Sequence, residues 1–266
     1  MSADDAVDAM RVWHAGKGDS GLRFWSDWLP PEEAAEVFAQ VESTQLFPWD
    51  LRPKLYGERL PQHAFHYLRS DRRASEGSLP GLRALEALCG RVERDLGCGV
   101  SDVYCNRFED PNHRIEWHQV QYCMNCLNFC LRDGHVCLLS EVMLTASSVR
   151  RTATCTCSDA SHCSPSQDQY GSHIAVLSLG AQRALEFKNT KSKELRTYRP
   201  SSGQLYFMSL THNKTHKHRV CASDGQPETR GTRVSFVFFV TPPFGLKEYK
   251  LSWGDRLKGG FNSWLS

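Results

Sequence analysis

The stretch RVSFVFFV, residues 233–240, decides the fold class of this chain. Val234, Phe236, Phe238 and Val240 alternate with the residues between them, which places them on one side of an extended strand. Similar short runs, rich in β-branched and aromatic residues and separated by turn residues, precede it. They are DVYCNRF (102–108), SHIAVLSLG (172–180), RALEF (183–187), LRTYR (195–199) and QLYFMSL (204–210). The pattern predicts a mainly β core, either a sandwich or a jelly roll.

Two helices are predicted before these strands. Residues 30–43 begin with prolines and glutamates and place Val37, Phe38 and Val41 on one side. The second helix has leucines and a valine spaced three or four apart and ends at Gly97. The segment between the helices, rich in prolines, aromatics and basic residues, is expected to be irregular with short hairpins. The expected class is therefore α+β, with a mainly β core and two supporting N-terminal helices.

The composition is that of a globular protein, with 40% hydrophobic and 23% charged residues among 266. This length suits one domain. A net charge of +2 excludes a polycation of the histone kind but leaves room for a local basic groove. The sequence contains no apolar run long enough to span a membrane, and its acidic beginning is unlike a secretory signal. We expect a monomer in the cytoplasm or nucleus, without a membrane or an obligate protein partner.

Histidines near strand ends are the candidates for chemistry. His118 ends a predicted strand in IEWHQ, and His216 and His218 come just before the last strand, which Arg233 begins. Two histidines and a carboxylate on a β scaffold are typical of non-haem iron(II) oxygenases. An arginine nearby can hold a co-substrate carboxylate with two parallel hydrogen bonds. The alternative is chance, because a chain with 11 histidines often brings two of them together.

Four segments in the same order resemble the AlkB-type iron(II)/2-oxoglutarate dioxygenases. They are NRFEDPNHRIEWHQ, DQYGSHIAVLSLGAQRALEF, GQLYFMSLTHNKTHKHRV and TRVSFVFF, and the resemblance covers roughly residues 45–242 outside a cysteine-rich stretch. It implies a double-stranded β-helix, which is a jelly roll, with N-terminal helices and a nucleotide-recognition lid. By position, the resemblance implies that iron(II) is bound by His118, Asp168 and His218, and 2-oxoglutarate by Asn106 and Arg233. His216 lies two residues too early and is interpreted as a supporting residue or a lid contact.

Asp168 is separated from His118 by an insert, residues 120–167. The family places its carboxylate two residues after the first histidine, where this chain has Val120. Without residues 120–167 the sequence reads WHQDQYGSHIAVLSLG, in which the aspartate lies two residues after His118, as the family expects. The insert begins with Val120 and ends with Gln167. Valine codons begin with GU and one glutamine codon is CAG, so the ends of the insert match the nucleotides at the two ends of a eukaryotic intron. We interpret residues 1–266 as one dioxygenase domain interrupted by an in-frame retained intron.

A zinc site is the functional alternative for the insert, which holds seven of the eleven cysteines. Its candidate ligands are Cys123, Cys126, Cys155 and Cys157, with His135 and His162 nearby, although their spacing fits no common zinc finger well.

Two departures from the family concern the co-substrate and the substrate. Phe239 stands where the family usually has a second arginine, and Arg230 is the residue expected to compensate. Gln169 and Tyr170 follow Asp168, where many nucleic-acid repair members have an acidic residue that reads the damaged base. The first departure predicts weaker binding of 2-oxoglutarate, and the second leaves the substrate open.

The resemblance implies an oxidative demethylase of N-alkylated bases in nucleic acid, which releases formaldehyde, succinate and carbon dioxide. Phe65, His66 and Tyr67 are candidates for stacking an unstacked base, with ordinary packing as their alternative role. Basic residues of the same stretch are available for phosphates, namely Arg52, Lys54, Arg69, Arg72 and Arg73. Two rival functions stay open: a protein hydroxylase or demethylase of the same fold, and a catalytically dead binding paralogue.

Overall fold

The computed structural model describes residues 21–55, 58–68, 79–119 and 173–241. Within these ranges, two long helices and a mainly antiparallel β structure confirm the predicted fold class. Helix α1 spans Pro31–Glu42 and helix α2 spans Pro80–Leu96, and each begins with a proline, as expected at a helix N-terminus. Gly97 ends α2 with a φ of 59°, a left-handed conformation that suits glycine.

The β-strands of the described residues form two larger sheets and one short hairpin. Their bounds are β1 Leu22–Trp25, β2 Lys54–Leu55, β3 Glu58–Arg59, β4 His63–Leu68, β5 Gly99–Phe108, β6 Ile115–His118, β7 His173–Gly180, β8 Leu185–Asn189, β9 Leu195–Tyr198, β10 Leu205–Met208, β11 His216–Val220 and β12 Arg233–Thr241. The six-stranded sheet has the order β1-β10-β7-β12-β5-β4, and the four-stranded sheet has the order β6-β11-β8-β9. A short helix, α3 (Leu210–Thr215), lies between β10 and β11.

Alternation along the strands of the six-stranded sheet divides the apolar residues into two cores. On one face, residues such as Val234, Phe236 and Phe238 pack with Leu85 and Val92 of α2. On the other face, the second core is made by Phe108, Ile174, Val176 and Tyr206 of this sheet together with Leu185, Phe187 and Val220 of the four-stranded sheet. The second core therefore lies between the two sheets, and we refer to this region as the inter-sheet space.

The segment before α2 departs from the prediction. It was expected to be irregular with short hairpins, and the β2–β3 hairpin fits, but His63–Leu68 is a full strand that pairs with β5 at the edge of the large sheet. The prediction was wrong for β4 because proline and charged residues around it conceal a regular alternation.

The cysteine-rich insert and Asp168 lie outside the described residues, so their predicted roles stay predictions. In the part of the chain that is described, no helix has both the length and the apolar character required to cross a membrane.

Candidate metal and co-substrate site

The two histidines predicted as iron ligands face each other across neighbouring strands. Antiparallel pairing of β6 with β11 makes His118 and His218 direct Cα partners. Residues directly opposite in an antiparallel pair place their side chains on the same face, and the centroids of the two imidazole rings are 4.2 Å apart. Residues far apart in the sequence thus form a compact histidine pair at the end of β6.

The hydrogen bonds of this pair leave nitrogen atoms free to bind a metal. His118 Nδ1 lies 2.8 Å from the backbone oxygen of Glu116. Because a carbonyl only accepts, Nδ1 carries the proton and Nε2 keeps its lone pair, an arrangement common among metal-binding histidines. His218 is buried, and its Nδ1 has no hydrogen-bond partner among the described residues.

Both rings are electrically neutral near pH 7. Burial lowers the pKa of His118 below 6.5, against an opposing effect of its bond to the Glu116 carbonyl. Burial also lowers the pKa of His218 well below 6.5, and the neighbouring imidazoles of His118 and His212 lower it further. Neutral imidazole is the form that binds metals, so the pair is held in its ligating state.

The described residues contain no group of three or more histidine, cysteine, aspartate or glutamate side chains placed to hold a metal ion. The predicted third ligand, Asp168, lies outside the described ranges. The histidine pair thus fits two of the three protein ligands expected for a facial-triad iron site.

Arg233 carries a buried charge whose hydrogen-bonding capacity is mostly unused. Its side chain is 1% exposed at the start of β12, and Nη2 donates to Ser178 Oγ at 3.0 Å. Nε and Nη1 are buried without a partner among the described residues, and the guanidinium lies over the ring of Phe108. Burial lowers the pKa of Arg233 to about 10; the nearby Tyr206 raises it and Arg183 lowers it further. The group therefore remains protonated at pH 7.

A carboxylate co-substrate fits this environment. A buried charge is costly unless it is paired, and no carboxylate among the described residues forms an ion pair with Arg233. A carboxylate bound here would accept from the unused N–H groups of Arg233. The same reasoning supports the predicted role of Arg233 in holding 2-oxoglutarate.

A chain of aromatic contacts joins the histidine pair to Arg233 through the inter-sheet space. The ring of Phe187 stacks on His218 with centroids 5.8 Å apart and meets the ring of Tyr206 edge-on at 6.2 Å. Burial raises the pKa of Tyr206 to about 12, and the charge of Arg233 opposes this effect. Tyr206 thus keeps its phenolic proton as a hydrogen-bond donor beside the guanidinium, a role that the sequence analysis missed.

Asn106 lies on the same inner face and completes a polar row across three strands. It is a Cα partner of Ser235, which in turn pairs with Ser178, the acceptor of the Arg233 bond. Asn106 is buried, and its Oδ1 accepts from Gln62 Nε2 at 3.3 Å. Since Oδ1 is engaged, the amide NH₂ of Asn106 is the group directed to another acceptor. The contact of Asn106 with 2-oxoglutarate stays a prediction, and the row adds Gln62, which the sequence did not indicate.

The aromatic residues predicted for the lid occupy other places. Tyr67 is 4% exposed in the core beside α2 and donates to Glu86 Oε2, and Phe65 packs against the same core. Their assignment as base-stacking residues is therefore corrected, because β4 directs both to the helix side of the sheet. His66 lies on the opposite face, where its Nε2 is 2.8 Å from the carboxylate of Asp102.

The basic residues proposed for phosphates are described only in part. Arg52 is exposed near the start of the β2–β3 hairpin, while the side chain of Lys54 and all of Arg69, Arg72 and Arg73 fall outside the described set.

Arg230 does not replace the missing second arginine. It is exposed, whereas Phe239 is buried in the core between the sheets. The buried arginine near Arg233 is Arg183, which the sequence analysis did not single out. Arg183 donates from Nη1 to the backbone oxygens of Gln182 and Thr229 and thereby holds the turn that precedes β12.

His216 is a supporting residue in this structure. Its ring stacks on His212 with centroids 4.0 Å apart and a 2° angle between the planes. Its Nε2 lies 3.3 Å from the side-chain amide of Asn189. This placement agrees with the first of its two predicted roles and packs α3 against the end of β11.

Comparison with solved structures finds a similarity to a prolyl-4-hydroxylase from Pseudomonas putida. The sequence identity is 12%, the TM-score is 0.49, and the match covers 90% of this chain and 99% of the other. No family model and no curated protein matches the chain. The fold described above is defined by the topology of its own sheets.

Proposed function

We propose that this chain is an iron(II)- and 2-oxoglutarate-dependent dioxygenase that demethylates N-alkylated bases in nucleic acid. The observation that carries the proposal is the neutral, facing pair His118 and His218 at the edge of the inter-sheet space. The AlkB-type segments of the sequence supply the substrate class. Asp168, as the third ligand, is part of the proposal.

His118, His218 and Asp168 would hold the metal through imidazole nitrogens and one carboxylate, the donor set preferred by non-haem iron(II). Bound there, iron(II) would supply the activation of dioxygen that is coupled to oxidative decarboxylation of 2-oxoglutarate. The Glu116 carbonyl fixes the tautomer of His118, so the ring presents Nε2 without first losing a proton.

The remaining residues bind and orient the co-substrate. Arg233 would take one carboxylate of 2-oxoglutarate, with Tyr206 as a further donor and the Asn106 amide directed to another oxygen. Phe108 and Phe187 are both buried in the inter-sheet core. They keep water from competing for these hydrogen bonds, and a low local dielectric strengthens each of them. By holding the co-substrate in one orientation, the protein reduces the entropy that has to be lost in the reaction itself.

The proposal is tested by turnover with a panel of N-methylated oligonucleotides and methylated peptides. Succinate and formaldehyde are measured together in the intact chain and in His218→Ala, with iron(II) and 2-oxoglutarate supplied. We expect equal amounts of both products with an oligonucleotide and neither product in His218→Ala. Formaldehyde formed only from peptides would replace nucleic acid by protein as the substrate. Equal activity of His218→Ala and the intact chain would refute the metal assignment.

A further inference from the structure

The outer face of the four-stranded sheet combines an aromatic ring with three cations, two of which are lysines that form no ion pair within the described residues. Successive strand residues point to opposite faces, so the residues next to His118 and His218 point away from the inter-sheet space. They include Trp117 of β6 and both Lys217 and Arg219 of β11. We call this outer surface the Trp117 face; its members are Trp117, Glu186, Lys188, Leu195, Thr197, Lys217 and Arg219.

The positive charge of this face is only partly neutralised. Arg219 Nε lies 2.7 Å from the carboxylate of Glu186, its partner across β8 and β11. Glu116, beside Trp117, is paired with Arg114 at 2.6 Å. The two carboxylates carried by these strands are thus already engaged with arginines.

Two lysines on this face are left in an unfavourable arrangement. Lys217 and Lys188 are direct Cα partners across β11 and β8, and like charges directly opposite each other destabilise a sheet. Neither lysine forms an ion pair with any carboxylate of the described ranges. An anion placed between them would remove this repulsion.

Trp117 lies beside the cations in the arrangement found where proteins bind single strands. The guanidinium of Arg219 is 4.7 Å and the ammonium of Lys188 is 5.9 Å from the centroid of its ring. Both distances are within cation–π range. Leu195, whose partner is Lys188, is 52% exposed on the same face. Cations that follow a phosphate backbone, next to aromatic and apolar surface for bases, are typical of sequence-tolerant single-strand binding.

We propose that the Trp117 face binds the phosphodiester backbone of single-stranded nucleic acid. Lys188 and Lys217 contact phosphates, and Trp117 with Leu195 offers apolar surface to the bases. The face lies on the back of the strands that carry the histidine pair, so binding here raises affinity for a polynucleotide without taking part in the chemistry. The class of occupant rests in part on the proposed function.

The test is the binding of a fluorescein-labelled, unmethylated single-stranded oligonucleotide to the full chain, followed by anisotropy at several salt concentrations. The test variant is Lys188→Gln/Lys217→Gln. The matched control is Arg83→Gln/Arg94→Gln, which removes the same charge from exposed positions of α2, on the far side of the large sheet. Melting temperatures of all three proteins establish that they are folded.

Each phosphate contact to a single strand contributes about 0.7 to the slope of log K against log salt. Loss of two contacts should therefore reduce the slope by about 1.4. Between 50 and 200 mM salt, the affinity of the unaltered chain should fall about sevenfold more than that of the test variant. The control variant should keep the original slope, and the loss should be equal for different base sequences.

Three results would overturn the proposal: an unchanged slope in the test variant, an equal reduction in the control, or an acidic peptide that binds this face while the oligonucleotide does not. His218→Ala separates this proposal from the function proposed above. Retained oligonucleotide binding in His218→Ala supports the Trp117 face even if no demethylation is found. Demethylation with an unchanged salt slope in the test variant refutes only the Trp117 face.

Discussion

Replacing Arg233 with methionine should make the protein more stable and less functional at the same time. Burial lowers the pKa of the guanidinium from 12.5 to about 10. Because each pKa unit corresponds to about 1.36 kcal/mol, the buried charge costs the ligand-free fold about 3 kcal/mol. A lowered pKa of a base means that this cost is present at every pH below about 10 and is relieved only above it.

Methionine fills similar space without a charge, but it loses the hydrogen bond to Ser178. That loss costs about 1 kcal/mol, so Arg233→Met should gain about 2 kcal/mol in the free energy of unfolding. For a domain of this size, the melting temperature should rise by roughly 4–8 °C. The affinity for 2-oxoglutarate should fall in Arg233→Met, since the carboxylate of the co-substrate loses its charged partner.

Thermal unfolding with Mn(II), with and without 2-oxoglutarate, measures both effects. A ligand at a hundred times its Kd stabilises the fold by about 2.7 kcal/mol, and we expect this increment in the unaltered chain and not in Arg233→Met. Arg183→Met is the control, because Arg183 is equally buried but bonded to backbone oxygens, and its loss should destabilise. Arg233→Met that is destabilised, or that keeps the 2-oxoglutarate increment, would refute the reasoning.

Three further predictions concern residues around the site. Burial and the nearby Lys214 lower the pKa of His173 to about 4, so about 3 kcal/mol of stability should be lost as the pH falls from 6.5 to 4. The free energy of unfolding in urea should therefore depend less on pH in His173→Asn than in the unaltered chain. The same pH dependence in both proteins would contradict this prediction. Gln119→Ala removes two donors to backbone oxygens at the end of α3 and should cost about 1–2 kcal/mol and weaken Mn(II) binding, whereas unchanged values would exclude a positioning role. Deletion of residues 120–167 should strengthen metal binding and raise turnover, and equal activity of the intact chain, or one bound zinc in the insert, would show that the insert is a functional module.

The spacing of apolar residues in the sequence predicts most of the helices and strands. Both helices, strands β5 to β10 and the two faces of β12 follow from the spacing of apolar residues. Strand β11 was not predicted, because its residues HKHRV show no apolar alternation. The pairing of His118 with His218 depends on register between distant strands, which no local pattern encodes. It could be anticipated only from the order of the family-like segments.

The missed features have identifiable physical reasons. Helix α3 has no apolar stripe, and it begins where Ser209 Oγ accepts from the backbone N–H of His212 at 3.1 Å, a cap that is visible only once the turn is formed. Tyr67 resembles a lid aromatic in the sequence, yet the pairing of β4 with β5 turns it into the core. Arg183 gives no sequence signal, since two of its partners are the backbone oxygens of Thr229 and Gly231, which lie in a turn distant in the sequence.

The central claim is that His118 and His218 bind one metal ion beside a co-substrate carboxylate site. Its most direct test is an anaerobic calorimetric titration of the metal-free chain with iron(II), repeated for His118→Ala and His218→Ala. We predict one equivalent of iron(II) bound by the intact chain, tighter binding when 2-oxoglutarate is present, and loss of this binding in each variant. One equivalent of iron(II) bound with unchanged affinity by His218→Ala would contradict the account.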